Sequence, residues 1–151
     1  MLRWAIRQEA KPIAIRVPSN GVVHTTEDVD EEYSYTPKYK VAHEGSQVAI
    51  IAAGSFYQKG ENVAHLLAEK GIDATLINPR YLHAVDAEAL ESLKARHQLV
   101  VTLEDGCKDG GFGERIASYY GTSDMKVLVC GVKKDLYDRF DHQQLLADNR
   151  L

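Results

Sequence analysis

A three-layer α/β/α fold, with a mainly parallel but mixed five-stranded sheet between its helices, is predicted by two features of the 151-residue chain. Short continuous apolar runs, each bounded by glycine or polar residues, have the pattern of strands buried on both faces. Amphipathic stretches of helical period alternate with them, which implies parallel pairing through right-handed crossovers.

The opening residues stand apart from this rhythm. Leu2, Ala5 and Ile6 recur at helical spacing from the first residue, with no capping residue ahead of them, as in a helix entered partway along. Ile13, Ile15 and Val17 then alternate as in a strand, which breaks at the turn signal Pro18-Ser-Asn-Gly21. Val22 to Lys40 is polar and irregular, with the acidic run Glu27-Asp-Val-Asp-Glu-Glu32 followed by Tyr33, Tyr35 and Tyr39. Interleaved tyrosines can stack on bases, but the adjoining carboxylates would repel phosphates, so a linker packed by its tyrosines is the better reading. Residues 1–40 are therefore expected to be the tail of a preceding domain plus a linker, and residues 41–151 the α/β domain.

Within that domain the elements follow in order. Tyr39 to His43 offers an edge strand, and Gln47-Val-Ala-Ile-Ile-Ala-Ala53 is a core strand that ends at Gly54. Ser55 to Lys70 carries Val63, Leu66 and Leu67 at helical spacing and stops at Gly71. Ala74 to Asn78 is the next strand, and Asp86 is placed to cap a helix that runs through Arg96. Gln98 to Leu103 is a strand followed by a glycine-rich turn and a helix from Gly113 to Tyr120. Met125 to Cys130 and a helix from Asp141 to Asp148 complete the set.

Composition narrows the function. The formal net charge is −4, so no global basic field exists to attract nucleic acid or anionic lipid. The longest stretch without Asp, Glu, Lys or Arg, Gly45 to Gln58, is too short to span a bilayer, and no signal peptide is recognisable. Two cysteines make no disulfide framework, which suits a reducing, cytoplasmic setting.

The most suggestive local feature is Glu104-Asp-Gly-Cys-Lys-Asp-Gly-Gly-Phe-Gly113, between a strand and a helix. Ligands of open parallel sheets bind beyond the carboxyl ends of the strands, and glycines before a helix can cradle a phosphate. Here, however, the glycines lack dinucleotide-binding spacing, and acids outnumber bases. Packing of the helix close to the sheet accounts for the glycines instead. Glu104 and Asp105 are adjacent, and adjacent residues on a strand point to opposite faces, which argues against an acid–base pair. Cys107 lies among acids that oppose thiolate formation, and Cys130 fits a core strand. His83, at the end of a strand, is the histidine placed nearest the functional face, and no histidine has metal-ligand spacing.

Taken in order, several segments resemble the C-terminal domain of the transketolase superfamily, in particular of 1-deoxy-D-xylulose-5-phosphate synthase. These are Pro12-Ile-Ala-Ile-Arg-Val-Pro18, Val48-Ala-Ile-Ile-Ala-Ala-Gly-Ser55, Asn78-Pro-Arg-Tyr-Leu82 onward through Asp86, and Val101-Thr-Leu-Glu-Asp105 with Gly110-Gly-Phe-Gly113. The resemblance implies a parent that transfers two-carbon units with thiamine diphosphate and magnesium. The synthase condenses pyruvate with glyceraldehyde 3-phosphate, with loss of carbon dioxide, in isoprenoid biosynthesis. It also implies a C-terminal domain that is structural, packs on the other domains, supports a homodimer, and by itself binds no cofactor and catalyses nothing. The family's cofactor motif, which starts Gly-Asp-Gly, has no counterpart in this chain.

The sequence departs from the family in two places. Ser19 occupies the position where the synthases commonly have an arginine that resembles a substrate-phosphate ligand, and a serine cannot form a bidentate cationic clamp. The family's Gly-x-Pro-Asp segment becomes Gly131-Val-Lys-Lys-Asp135. Another ketose or a 2-oxo acid is therefore open as the parent's substrate. Arg16, Ser19, His83 and Glu104 are the candidates for substrate or domain contact, and no catalytic, cofactor-binding or metal-binding residue is assigned. The alternative is a stand-alone module that binds a small anionic ligand at the strand ends near Gly54 and Gly110 to Gly113.

Overall fold

The computed structural model describes residues 1–18, 21 and 33–151, which form two compact units, Met1–Thr36 and Pro37–Leu151. Ser19 and the acidic run from Glu27 to Glu32 lie outside the described residues.

In the first unit, Leu2–Ala5 forms one helical turn, α1, whose Trp4 is buried. Trp4 packs against Tyr33 and Tyr35, with ring centroids 5.9 and 5.7 Å away. The strand expected over Ile13 to Val17 is not formed. Ile13 and Ile15 are half-buried and Ala14 and Arg16 exposed, but Val17 is exposed as well, so the alternation stops short of it. A strand also requires a ladder partner, and none pairs with this segment among the described residues.

The second unit holds a five-stranded sheet of order β1-β3-β2-β4-β5, built from Lys40–His43 (β1), Gln47–Ala52 (β2), Thr75–Asn78 (β3), His97–Cys107 (β4) and Lys126–Val132 (β5). β1 pairs antiparallel with β3 at the edge, and the other pairs are parallel. The helices are α2 (Tyr57–Ala68), α3 (Ala87–Leu93), α4 (Phe112–Tyr120) and α5 (His142–Asp148). A single 3-10 turn, Gly54–Phe56, leads into α2.

The period-two alternation of β2 divides the core. Ala49 and Ile51 face one layer with Leu90 of α3 and Phe112, Ile116 and Tyr120 of α4. Ile50 and Ala52 face the other with Phe56, Val63 and Leu67, and Leu146 of α5 also packs there. Burying each such aliphatic side chain is worth about 1.5–3 kcal/mol. A hydrogen-bonded chain ties the lower end of the sheet together: Gly45 N–H donates to Thr75 Oγ1 at 2.8 Å, and Thr75 Oγ1 lies 2.8 Å from His97 Nε2. His97 Nδ1 lies 3.0 Å from the Leu93 carbonyl, which can only accept, so Nδ1 carries a proton.

Two boundaries differ from expectation. The helix capped by Asp86 ends at Leu93, because the chain must turn to enter β4 at His97. β4 continues past Leu103 to Cys107, which pairs with Val132 of β5 after a register shift. The polar Glu104-Asp-Gly-Cys107 thus belongs to the strand, and the loop begins at Lys108. Cys107 is exposed, whereas Cys130 is half-buried on β5 and its thiol is pushed up by burial.

Candidate functional site

β2 connects to β3 on one side and β4 to β5 on the other, so the carboxyl ends of β2 and β4 flank the topological switch point of the sheet. This is where open α/β sheets bind ligands. Three loops meet at this end: Ala53–Phe56 after β2, Pro79–Asp86 after β3, and Lys108–Gly111 after β4.

Glu104 dominates the geometry. It is only 4% exposed, and its carboxylate accepts from the backbone N–H groups of Phe112 at 3.0 Å and Gly113 at 2.8 Å. The cap residue of α4 is Gly111, which has no side chain to satisfy those donors. A glutamate eight and nine residues upstream therefore does what a capping Ser or Asp usually does. The glycines make room for it. A Cβ on Gly111 would lie 2.7 Å from Glu104 Oε1, and one on Gly113 would lie 2.4 Å from Thr102 Oγ1. The start of α4 is thus an anion site whose anion is the protein's own carboxylate.

Asp105 points the other way, half-buried, and accepts from the Ser55 hydroxyl at 3.0 Å across the switch point. Glu104 and Asp105 accordingly serve different partners and form no acid–base pair. Glu114 accepts from the Gly110 backbone N–H.

The loop after β3 is held from several directions. Arg80 has φ 56°, a left-handed conformation rare for a non-glycine residue, and its amide donates to Asn78 Oδ1 at 3.1 Å. Its guanidinium donates to the Lys38 carbonyl at 2.9 and 3.3 Å and lies over the Tyr81 ring. Arg115 donates to the Leu82 carbonyl at 2.8 Å. Asp86 caps α3 through Ala89 N–H at 3.1 Å and accepts from Tyr39 N–H at 2.8 Å. Burial pushes the Tyr39 phenol up to about 12, and its hydroxyl is buried without a partner.

Of the sequence candidates, Glu104 lies at this end of the sheet as a helix cap. His83 is exposed in the loop, five residues beyond the end of β3, with its ring edge-on to Tyr81 at 6.0 Å. Arg16 belongs to the other unit, and Ser19 is outside the described residues. Within the second unit, Glu104 and His83 thus serve different contacts. Sequence reasoning gave no role to Arg115, which falls in no motif, or to Arg80, which lies in the Asn78-Pro-Arg-Tyr-Leu82 segment; each is recognised only by what its guanidinium reaches. No group of three or more His, Cys, Asp or Glu side chains among the described residues is arranged to hold a metal.

The Transketolase, C-terminal domain family matches residues 37–148. The 1-deoxy-D-xylulose-5-phosphate synthase of Clostridium botulinum (strain Alaska E43 / Type E3) is 36% identical over 132 residues, 85% of this chain and 21% of the relative. That of Lachnoclostridium phytofermentans is 38% identical over 119 residues, 79% of this chain and 19% of the relative. A solved structure titled "Split gene transketolase, inactive beta4 tetramer" is similar with a TM-score of 0.74 at 26% identity, covering 84% of this chain and 42% of that one. The chain spans about a fifth of the length of the curated relatives it matches.

Proposed function

Because the chain belongs to the transketolase C-terminal domain family, we propose that it is the C-terminal domain of a thiamine-diphosphate-dependent transferase of the 1-deoxy-D-xylulose-5-phosphate synthase type. In this reading residues 1–40 are the tail of a preceding domain and a linker. Residues 41–151 pack on the other domains and support a homodimer in the cytoplasm. Among the described residues, no helix is long and apolar enough to cross a membrane.

The described residues of this chain do not fit thiamine diphosphate and magnesium. The glycine-flanked helix start that would suit a diphosphate holds the Glu104 carboxylate, which would repel it. No carboxylate or imidazole cluster offers a magnesium site among the described residues. The cofactor chemistry, with condensation of pyruvate and glyceraldehyde 3-phosphate as the reaction implied by the relatives, is therefore assigned to the rest of a larger parent. The role of this domain is structural support.

The observation that carries the proposal is the family match over residues 37–148, which spans nearly all of the compact unit Pro37–Leu151. The test is the size of the natural polypeptide, by immunoblot of source cells with an antibody to this domain. A band several times larger than 16.8 kDa is expected. A sole band at 16.8 kDa would overturn the reading and favour a free-standing module.

A further inference from the structure

With the start of α4 filled by Glu104, an incoming anion at this end of the sheet must be met by side chains. Arg115 is the side chain best placed to meet one. It lies in the N-terminal half of α4, near the helix end whose dipole favours an anion over a cation, so local helix stability gives no reason for it. It is exposed, and one guanidinium N–H is fixed at 2.8 Å on the Leu82 carbonyl. No carboxylate pairs with it among the described residues, so its remaining donors are open to a ligand. The carbonyl it holds is the one that joins Leu82 to His83. The His83 ring is exposed, is steadied edge-on by Tyr81, and has no hydrogen-bond partner among the described residues.

No acidic residue occurs from Ala74 to Val85, where Arg80 and His83 are the charged or titratable residues apart from the tyrosine phenol. Of the acids nearby in sequence, Asp86 accepts from Ala89 and Tyr39 N–H, Glu88 pairs with the Lys38 ammonium at 2.8 Å, Glu114 accepts from Gly110 N–H, and Asp109 is exposed on the loop before α4. Arg80 and Arg115 thus bring two guanidinium groups to this end of the sheet.

We propose that Arg115 and His83 form a binding site for a phosphoryl group at the carboxyl end of the sheet. The guanidinium fork donates to two of the phosphoryl oxygens and an imidazole N–H donates to a third.

The test is a titration of the isotopically labelled 151-residue chain with inorganic phosphate, followed by amide chemical shifts, with sodium chloride and sodium acetate as separate arms. Saturable shifts at Leu82, His83 and Arg115 with phosphate alone are the expected result. R115Q and H83A are each expected to weaken binding by about tenfold, the effect of one lost charge-assisted contact. K126Q, at the opposite end of the sheet, is expected to bind as the unaltered chain does. The spectral dispersion of each variant reports its fold, and R115K keeps the charge without the fork and is expected to fall between the unaltered chain and R115Q. Unsaturable or absent shifts, equal shifts with acetate, or unchanged binding by R115Q would each overturn the proposal.

Discussion

The carboxylate of Glu104 lies 2.8 Å from the backbone N of Gly113, and the absence of a side chain at Gly111, whose Cβ would stand 2.7 Å from Glu104 Oε1, leaves room for the approach. Strand β4 and helix α4 are thereby joined by a buried charge-assisted hydrogen bond. The same bond gives a sharp expectation. Glu104→Ala leaves two N–H groups at the start of α4 without an acceptor in a buried setting and should destabilise the domain by about 2–4 kcal/mol. Glu104→Gln keeps one acceptor oxygen and should cost less. Urea unfolding midpoints of the two variants against the unaltered chain measure the difference, and equal midpoints for all three would refute the capping role.

Thr102 and Gly113 pack face to face, and they respond to substitution in opposite ways. Thr102 is fully buried and its hydroxyl has no partner. Thr102→Val should therefore leave stability unchanged or raise it by up to about 1 kcal/mol, since it removes an unsatisfied polar atom. Gly113→Ala would place a Cβ 2.4 Å from Thr102 Oγ1 and 2.6 Å from Val129 Cγ1, and should cost about 1–3 kcal/mol. Thermal unfolding followed by circular dichroism reads both.

Alkaline stability follows from Tyr39. Burial raises its phenol from 10.0 to about 12 in the folded chain. The unfolded chain releases that proton first, so the stabilisation is complete below pH 10 and is lost as pH rises toward 12. Tyr120 is shifted in the same direction, again chiefly by burial. Tyr39→Phe should leave the unfolding midpoint at neutral pH nearly unchanged, because the hydroxyl it removes is unpartnered, and should flatten the decline between pH 10 and pH 12. Unfolding midpoints across that range, with and without the substitution, test the sign.

Asp86 joins two elements far apart in the chain, through Ala89 N–H and Tyr39 N–H. Asp86→Ala removes a helix cap worth about 1 kcal/mol and also frees the amide of the residue that precedes β1. Hydrogen exchange should quicken at Tyr39 as well as in the first turn of α3. Faster exchange in α3 alone would show that the Tyr39 contact carries no weight.

The four parallel strands were legible because each contains a run of apolar residues, buried on both faces in the middle of β2 and β3, although on β5 Leu128 is exposed. What escaped the sequence depends on partners rather than composition. Glu104-Asp-Gly-Cys107 has poor strand propensity and is drawn into β4 by pairing with β5. Ile13, Ile15 and Val17 show the opposite case, with strand alternation but no ladder. His97 sits between Arg96 and Gln98, and nothing in that setting marks it as a buried group bonded to Thr75 and Leu93. One signal for Glu104 was present, since no Ser, Thr, Asp or Asn stands directly before α4 to cap it. Arg115 and His83 come from two segments more than thirty residues apart, which meet at the Leu82 carbonyl 33 residues from Arg115.

Strand β2 lends alternate side chains to both layers, with Ala49 and Ile51 on one side and Ile50 and Ala52 on the other. Neither layer can be assembled while β2 is unplaced, and the placement of β2 requires β4, whose residues lie about fifty positions away in the chain. The two helical layers therefore have no independent existence as partly folded species. Residues 37–151 should lose both cores in one cooperative transition, with folding paced by closure of the long β2–β4 loop rather than by formation of any helix.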